Sequence, residues 1–259
     1  MRLNHHRVGE GAPLVLVHGL GAGWRMWEPV LDRLAARREV IAIDLPGFGA
    51  SLPGPSVPPT VGRLAELVAA FAAGVGHERF HVAGNALGGG IALELGRAGR
   101  ALSVCALSPV GFATRRERAV AGASLRATRA LARLLAPVAR TALGGPGRRT
   151  AVLGQLTGRP WRVPPAAGAD ALRGLAGAPG FEGGLRAGAS YRAAGPPPAC
   201  PTTIAWGERD RLAPYRRQSA RARGLLPQAR HLTLPGCGHV PTWDDPERIA
   251  GLLLEASAA

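Results

Sequence analysis

The sequence predicts an α/β fold, a mostly parallel central sheet with helices on both faces. Short apolar runs alternate with longer amphipathic segments along most of the chain. The runs are apolar almost throughout, as in strands covered on both sides, and not alternating, as in strands with one wet face. With 259 residues, 46% of them hydrophobic and 19% charged, the chain can bury one sizeable core. The same numbers exclude low-complexity, fibrous and wholly disordered chains.

The strand candidates, in order, are Leu14–Val17, Val40–Ile43, Phe80–Ala83, Leu102–Leu107, Thr202–Trp206 and His231–Leu234. Between and after them Met26–Arg38, Thr60–Val75, Leu87–Arg97, Pro214–Leu225 and Pro246–Glu255 carry the spacing of amphipathic helices. The alternation stops over 112–195, which holds only Ala/Leu/Arg-rich helical patches broken by GGPG, RPWRVPP and GPPP. The expected organisation is therefore a core made of 1–111 and 196–259, with 112–195 as a helical insertion.

The charge is uneven in kind and in place. All 32 cations are arginine, against 17 carboxylates, a net of +15. The absence of lysine excludes a lysine Schiff base and a P-loop lysine. Abundant Ala, Gly, Pro and Arg, with scarce Ile, Asn and Tyr, match GC-rich coding. Residues 112–195 hold 14 arginines and three acids, a net of +11, while each flanking part stands at +2. No recognition motif accompanies the charge, so no nucleic-acid partner is expected.

Three cysteines, Cys105, Cys200 and Cys237, have neither an even number nor metal-ligand spacing, which fits a reduced, cytoplasmic setting. The first residues contain no apolar stretch of signal-peptide length, and nowhere do about 18 apolar residues run together, so no integral membrane association is expected.

Chemistry-bearing residues gather where strands end, the usual place for sites in open α/β sheets. They are His18-Gly19-Leu20-Gly21, Asp44-Leu45-Pro46-Gly47-Phe48-Gly49-Ala50-Ser51, Gly84-Asn85-Ala86-Leu87-Gly88-Gly89, Trp206-Gly207-Glu208-Arg209-Asp210 and Gly236-Cys237-Gly238-His239. The first could pass for a dinucleotide loop, but the third glycine of G-x-G-x-x-G is missing. Counting from Gly19 that place is Trp24, and from Gly21 it is Met26.

In this order the set resembles the α/β-hydrolase superfamily over essentially the whole chain, with 112–195 in the position of its variable cap. The GNxLGG turn is most similar to esterases and carbon–carbon bond hydrolases. The resemblance implies Asp210 and His239 as acid and base of a triad, and the Leu20 and Leu87 amides as the oxyanion hole. It implies no cofactor or metal, and a hydrophobic small-molecule ester, lactone or thioester as substrate. The departure is central: the family's G-x-S-x-G reads Gly84-Asn85-Ala86-Leu87-Gly88, with a methyl group where the nucleophile belongs.

Two origins account for Ala86. One is a serine-to-alanine variant that holds substrate without turnover. The other is a natural sequence that binds without catalysis, or that uses His239, held by Asp210, as general base for elimination or carbon–carbon cleavage. Asp210 is preferred over Glu208 as the acid because W-G-x-x-D is followed by Pro214. Asp44 reads as a turn residue, Asp244 and Asp245 as caps of the last helix, His18 as a support of the oxyanion turn and Cys237 as loop filler. Trp24, Asn85, Phe112, Trp161 and Val240 are the expected pocket residues. In the insertion Arg126, Arg129, Arg133 and Arg140 recur on one helical face, expected to be solvated, with Leu131, Leu134, Leu135 and Val138 on a packed one. Alternatively those arginines attract an anionic substrate or a membrane surface.

Overall fold

A computed structural model of the chain describes residues 3–53 and 59–258. Seven strands form one sheet in the order β1-β3-β2-β4-β5-β6-β7. They are β1 (His5–Val8), β2 (Pro13–Val17), β3 (Glu39–Ile43), β4 (Phe80–Asn85), β5 (Ala101–Leu107), β6 (Thr202–Gly207) and β7 (Arg230–Leu234). All pairings are parallel except β1 with β3. The six expected strands are present. β1 is additional: HHRV has no apolar run, and its burial pattern is mostly half-buried, as befits an edge strand.

The period of two divides the core. Val15, Val17, Ile41, Ile43, Val82 and Trp206 pack on one face, and Leu14, Leu16, Val40, Ala42, Ala83 and Leu107 on the other. The first face is covered by α2 (Val61–Gly74) and α3 (Leu87–Arg97), the second by α1 (Glu28–Ala35) and α10 (Pro246–Ala256). Burial of these aliphatic side chains, about 1.5–3 kcal/mol each, is the main stabilising term. α9 (Tyr215–Leu225) joins β6 to β7.

Between β5 and β6 lie α4 (Arg115–Leu135), α5 (Ala139–Ala142), α6 (Pro146–Leu153), α7 (Pro165–Gly177) and α8 (Phe181–Ser190). A capping box starts α4: the Thr114 hydroxyl accepts from the Glu117 amide, and the Glu117 carboxylate from the Thr114 amide. The expected faces hold only in part: Arg126, Arg133 and Arg140 are exposed and Leu135 packs on the core, but the other three apolar positions do not pack. Leu134, Val138 and Leu131 are 75%, 55% and 42% exposed. Arg129 instead lies over the Phe181 ring and donates to the Ala178 carbonyl, Arg126 pairs with Glu182, and Arg133 donates to the Ala176 carbonyl. The physical reason is a row of acceptors on the α7–α8 side, which the arginines satisfy and leucines could not.

Candidate functional site

Parallel pairing aligns the carboxyl ends of the strands. Val17 of β2 is in register with Gly84, Asn85 of β4 with Leu107, Leu107 of β5 with Ala205, and Gly207 of β6 with Leu234. The residues that follow each strand therefore share one edge: Gly19–Leu20, Ala86, Ser108, Asp210 and His239.

The β4–α3 turn is tight enough to dictate its glycines. A Cβ on Gly84 would lie 2.1 Å from the Gly88 carbonyl oxygen, and one on Gly88 2.2 Å from the Val17 oxygen. Ala86 sits at the apex with φ 51° and ψ −107°. A residue bearing Cβ in this region costs on the order of 1–3 kcal/mol, a strain that functional turns retain. The turn is held by Ala86 N–H donating to the Leu107 carbonyl, and by the Ala86 carbonyl accepting from Gly90 and Val110. Gly19 runs alongside: a Cβ there would stand 3.4 Å from the Ala86 methyl. Among the described residues, neither the Leu20 nor the Leu87 N–H finds an acceptor within the chain, and Leu87 opens α3, where free amides point outward.

His239 Nδ1 and Asp210 Oδ2 are 2.8 Å apart, with the Asp210 side chain wholly buried. Asp210 Oδ1 accepts from the Leu212 and Ala213 amides, so the carboxylate is fixed at both oxygens. A carboxylate on Nδ1 places the ring proton there and leaves Nε2 as a free base. Glu208 instead accepts from the Gly236 amide, outside this pair.

The supporting residues are equally specific. His18 Nε2 accepts from the Leu45 amide, so Nδ1 donates to the Gly19 carbonyl 2.7 Å away, and burial pushes this imidazole below its ordinary pKa. Asp44 accepts from Asn4, Trp24 and Ala50, shaping the loop in front of β3. Asn85 Nδ2 donates to the carbonyls of Leu107 and His239, tying the β4 end to the histidine loop. Cys237 is buried and its thiol is pushed up to about 12, mainly by desolvation, which disfavours the thiolate.

Asp245 caps α10 by accepting from the Arg248 amide, whereas Asp244 does not cap that helix. Fully buried, Asp244 accepts from the amides of Gly158, Arg159 and Gly238 and so ties the insertion to the histidine loop. Burial raises its carboxyl above the ordinary range against those three bonds. Replacing Asp244 by alanine strands three amide donors. The expected loss is roughly 3–5 kcal/mol of folding free energy, measured by urea unfolding; a loss under 1 kcal/mol would show that water replaces the carboxylate freely.

Above this edge lies a cavity of about 710 Å³, open between the sheet and α4, α6, α7 and α8. Ala86, His239, Asn85, Trp24 and Val240 line it, and its far walls are small or aliphatic, such as Gly122, Leu125, Leu153, Leu172 and Leu185. Two expected pocket residues lie elsewhere. Phe112 is buried edge-on against Trp206, with ring centroids 6.1 Å apart, and Trp161 is 48% exposed on the outer side of the insertion. The roof over the cavity is made by small and aliphatic positions of α7 and α8, among them Leu172, Leu175 and Leu185.

Ser108 was not foreseen. It follows β5 with φ 45°, is 1% exposed, lines the cavity, and its hydroxyl has no partner among the described residues. Asn85 Oδ1 is likewise buried without a donor. The one sequence signal was Ser-Pro directly after a strand. Among the described residues, no three His, Cys, Asp or Glu side chains cluster as metal ligands, and no helix is long and apolar enough to cross a membrane.

Comparison with known proteins gives the same frame. The model of the Alpha/beta hydrolase family matches residues 14–252. The dihydrolipoyllysine-residue acetyltransferase component of the acetoin cleaving system of Cupriavidus necator is 42% identical over 115 residues, 43% of this chain and 30% of that protein. A pimeloyl-[acyl-carrier protein] methyl ester esterase of Aeromonas hydrophila is 39% identical over 95 residues, 37% of this chain and 36% of its own. The matched part thus spans about a third of the length of these relatives. Among solved structures, a bacterial membrane phospholipase A superposes with a TM-score of 0.70 at 27% identity, covering 98% of this chain and 86% of that one.

Proposed function

The chain belongs to the alpha/beta hydrolase family, and from that premise we propose that it is a serine-hydrolase scaffold for an ester, lactone or thioester of a hydrophobic small molecule, in a nucleophile-deleted form that holds its ligand without turnover. The observation that carries this is the turn at Ala86. It keeps the strained φ 51° conformation that presents a side chain to the cavity, and the Asp210–His239 pair stands intact beside it. A methyl group gains nothing from that strain; a hydroxyl would.

With serine at position 86, each remaining group has a role. His239 Nε2 would take the hydroxyl proton as the oxygen attacks the carbonyl carbon, and Asp210 would hold the imidazole in the required tautomer and stabilise its cation. The Leu20 and Leu87 amides, both free, would receive the negative charge forming on the carbonyl oxygen. Collapse of the tetrahedral intermediate would expel the alcohol or thiol with the proton from His239, and water would repeat the cycle on the acyl-enzyme. The helical segment would act as the cap that selects substrate. Its small and aliphatic lining supports an apolar acyl or alcohol portion. Arg118, which also lines the cavity and donates to the Ala113 carbonyl, supports an anionic group on part of the ligand.

A second reading draws on the same pair. Because Nδ1 is committed to Asp210, Nε2 is a free base facing a cavity with no hydroxyl at position 86. In that reading a substrate proton or a water is its target, and the chain is a natural binding protein or a cofactor-free enzyme.

Binding separates ligand retention from turnover. Titrating the protein with p-nitrophenyl esters of rising chain length should give affinity that increases by up to about fourfold per added CH₂ until the cavity is full, without release of p-nitrophenol above background. Affinity independent of chain length would contradict the assignment of the cavity as the acyl site.

A further inference from the structure

Helix α4 turns an apolar face to water. At 3.6 residues per turn, Val120, Ala123, Ala127, Leu131 and Leu134 fall within about 80° of arc and extend about 21 Å along the axis. All five are exposed, Val120 and Leu134 at 62% and 75%, and Val138 just beyond the helix adds 55%. An exposed apolar row of this length marks an interaction surface. Arg116, one turn before Val120, is exposed and continues the row towards the start of the helix.

Charge identifies the partner. Residues 112–195 carry +11, and all three of their carboxylates are already engaged: Glu117 with Arg221, Asp170 with Arg173 and Glu182 with Arg126. A second copy of the chain on this face would bring two +11 segments together. An anionic lipid surface satisfies both parts, taking the apolar row into the acyl boundary and the exposed Arg115 and Arg116 at the start of the helix among the headgroups. We propose that α4 is an interfacial helix that docks the protein on anionic membrane surfaces. The opposite side of α4 supplies Ala121, Gly122 and Leu125 to the cavity wall. The docked face and the cavity are then separated by one helix diameter, about 10 Å, which suits a ligand drawn from the lipid phase. This inference does not depend on the nature of the residue at position 86.

Flotation of the full chain with extruded phosphatidylcholine vesicles, with and without phosphatidylglycerol, tests it. Binding should be at least about tenfold stronger to the anionic vesicles and should weaken steeply with salt. L131S combined with L134S should lower binding to anionic vesicles by roughly tenfold or more, while melting temperature and p-nitrophenyl ester binding stay unchanged. R115Q combined with R116Q should flatten the salt dependence independently of the apolar row. Equal binding to both vesicle types, or undiminished binding by the leucine variant, would overturn the proposal. So would a concentration-dependent dimer that L134S dissociates, because it would assign the row to a second copy.

Discussion

Replacing Ala86 by serine should raise ester hydrolysis by about 10⁴-fold or more. Deleting the nucleophile of a complete triad costs on the order of 10⁶ in kcat, and what survives comes from binding and the oxyanion hole. Restoration should recover most of this, because nothing else needs to be built. The glycines at positions 84 and 88 already permit the turn, the backbone at position 86 already has φ 51°, and the space beside it is open, since Gly19 has no side chain to fill it. The added oxygen would face His239 Nε2 on a base already oriented by a wholly buried carboxylate. A rise of less than tenfold with a panel of acyl chain lengths would favour the second reading, in which His239 works on the substrate or on water.

The second large effect concerns that carboxylate. In the A86S background, Asp210→Asn should lower kcat by about 10⁴, with a much smaller change in KM. Asparagine can keep the acceptor that serves the Leu212 and Ala213 amides, so the loop should persist. Its NH₂ would then face His239 Nδ1, which must become an acceptor, and the ring proton moves to Nε2. The imidazole is no longer a base towards the cavity. Glu208→Gln is the matched control: its carboxylate meets the Gly236 amide and not the imidazole, so kcat should change by less than about threefold. Equal losses in the two variants would contradict the assignment of Asp210.

What the sequence disclosed follows from how local each signal is. Buried parallel strands are apolar almost throughout, so six of them could be read directly, while Ala86, Asp210 and His239 were singled out by the family resemblance of the motifs that follow them. The edge strand His5–Val8 has polar positions and becomes a strand only by pairing with β3. Asp244 looked like a helix cap because its neighbour is one. Its actual partners, Gly158 and Arg159, lie 86 and 85 residues away, a separation no local pattern records. Leu131 and Leu134 of α4 are exposed where packing is expected, for a related reason. Helical periodicity separates residues into faces but does not say which face meets protein, and here carbonyls and Glu182 near α7 and α8 attract the arginines. Phe112 and Trp161 are expected in the pocket, yet one packs on Trp206 and the other is half in solvent. Ser108 carries almost no local signature, and only the structure shows its hydroxyl at the cavity without a partner among the described residues.

In the reading proposed above, this chain has a serine-hydrolase site complete apart from one oxygen atom. The most direct test is labelling by a fluorophosphonate, which reacts with an activated serine hydroxyl and not with an ordinary one. Intact-mass and peptide analysis of the A86S protein should show one phosphonyl group per chain on the new hydroxyl at position 86, and the parent protein should remain unlabelled. Absence of the adduct in a folded A86S protein, or labelling of the parent at Ser108, would contradict the account.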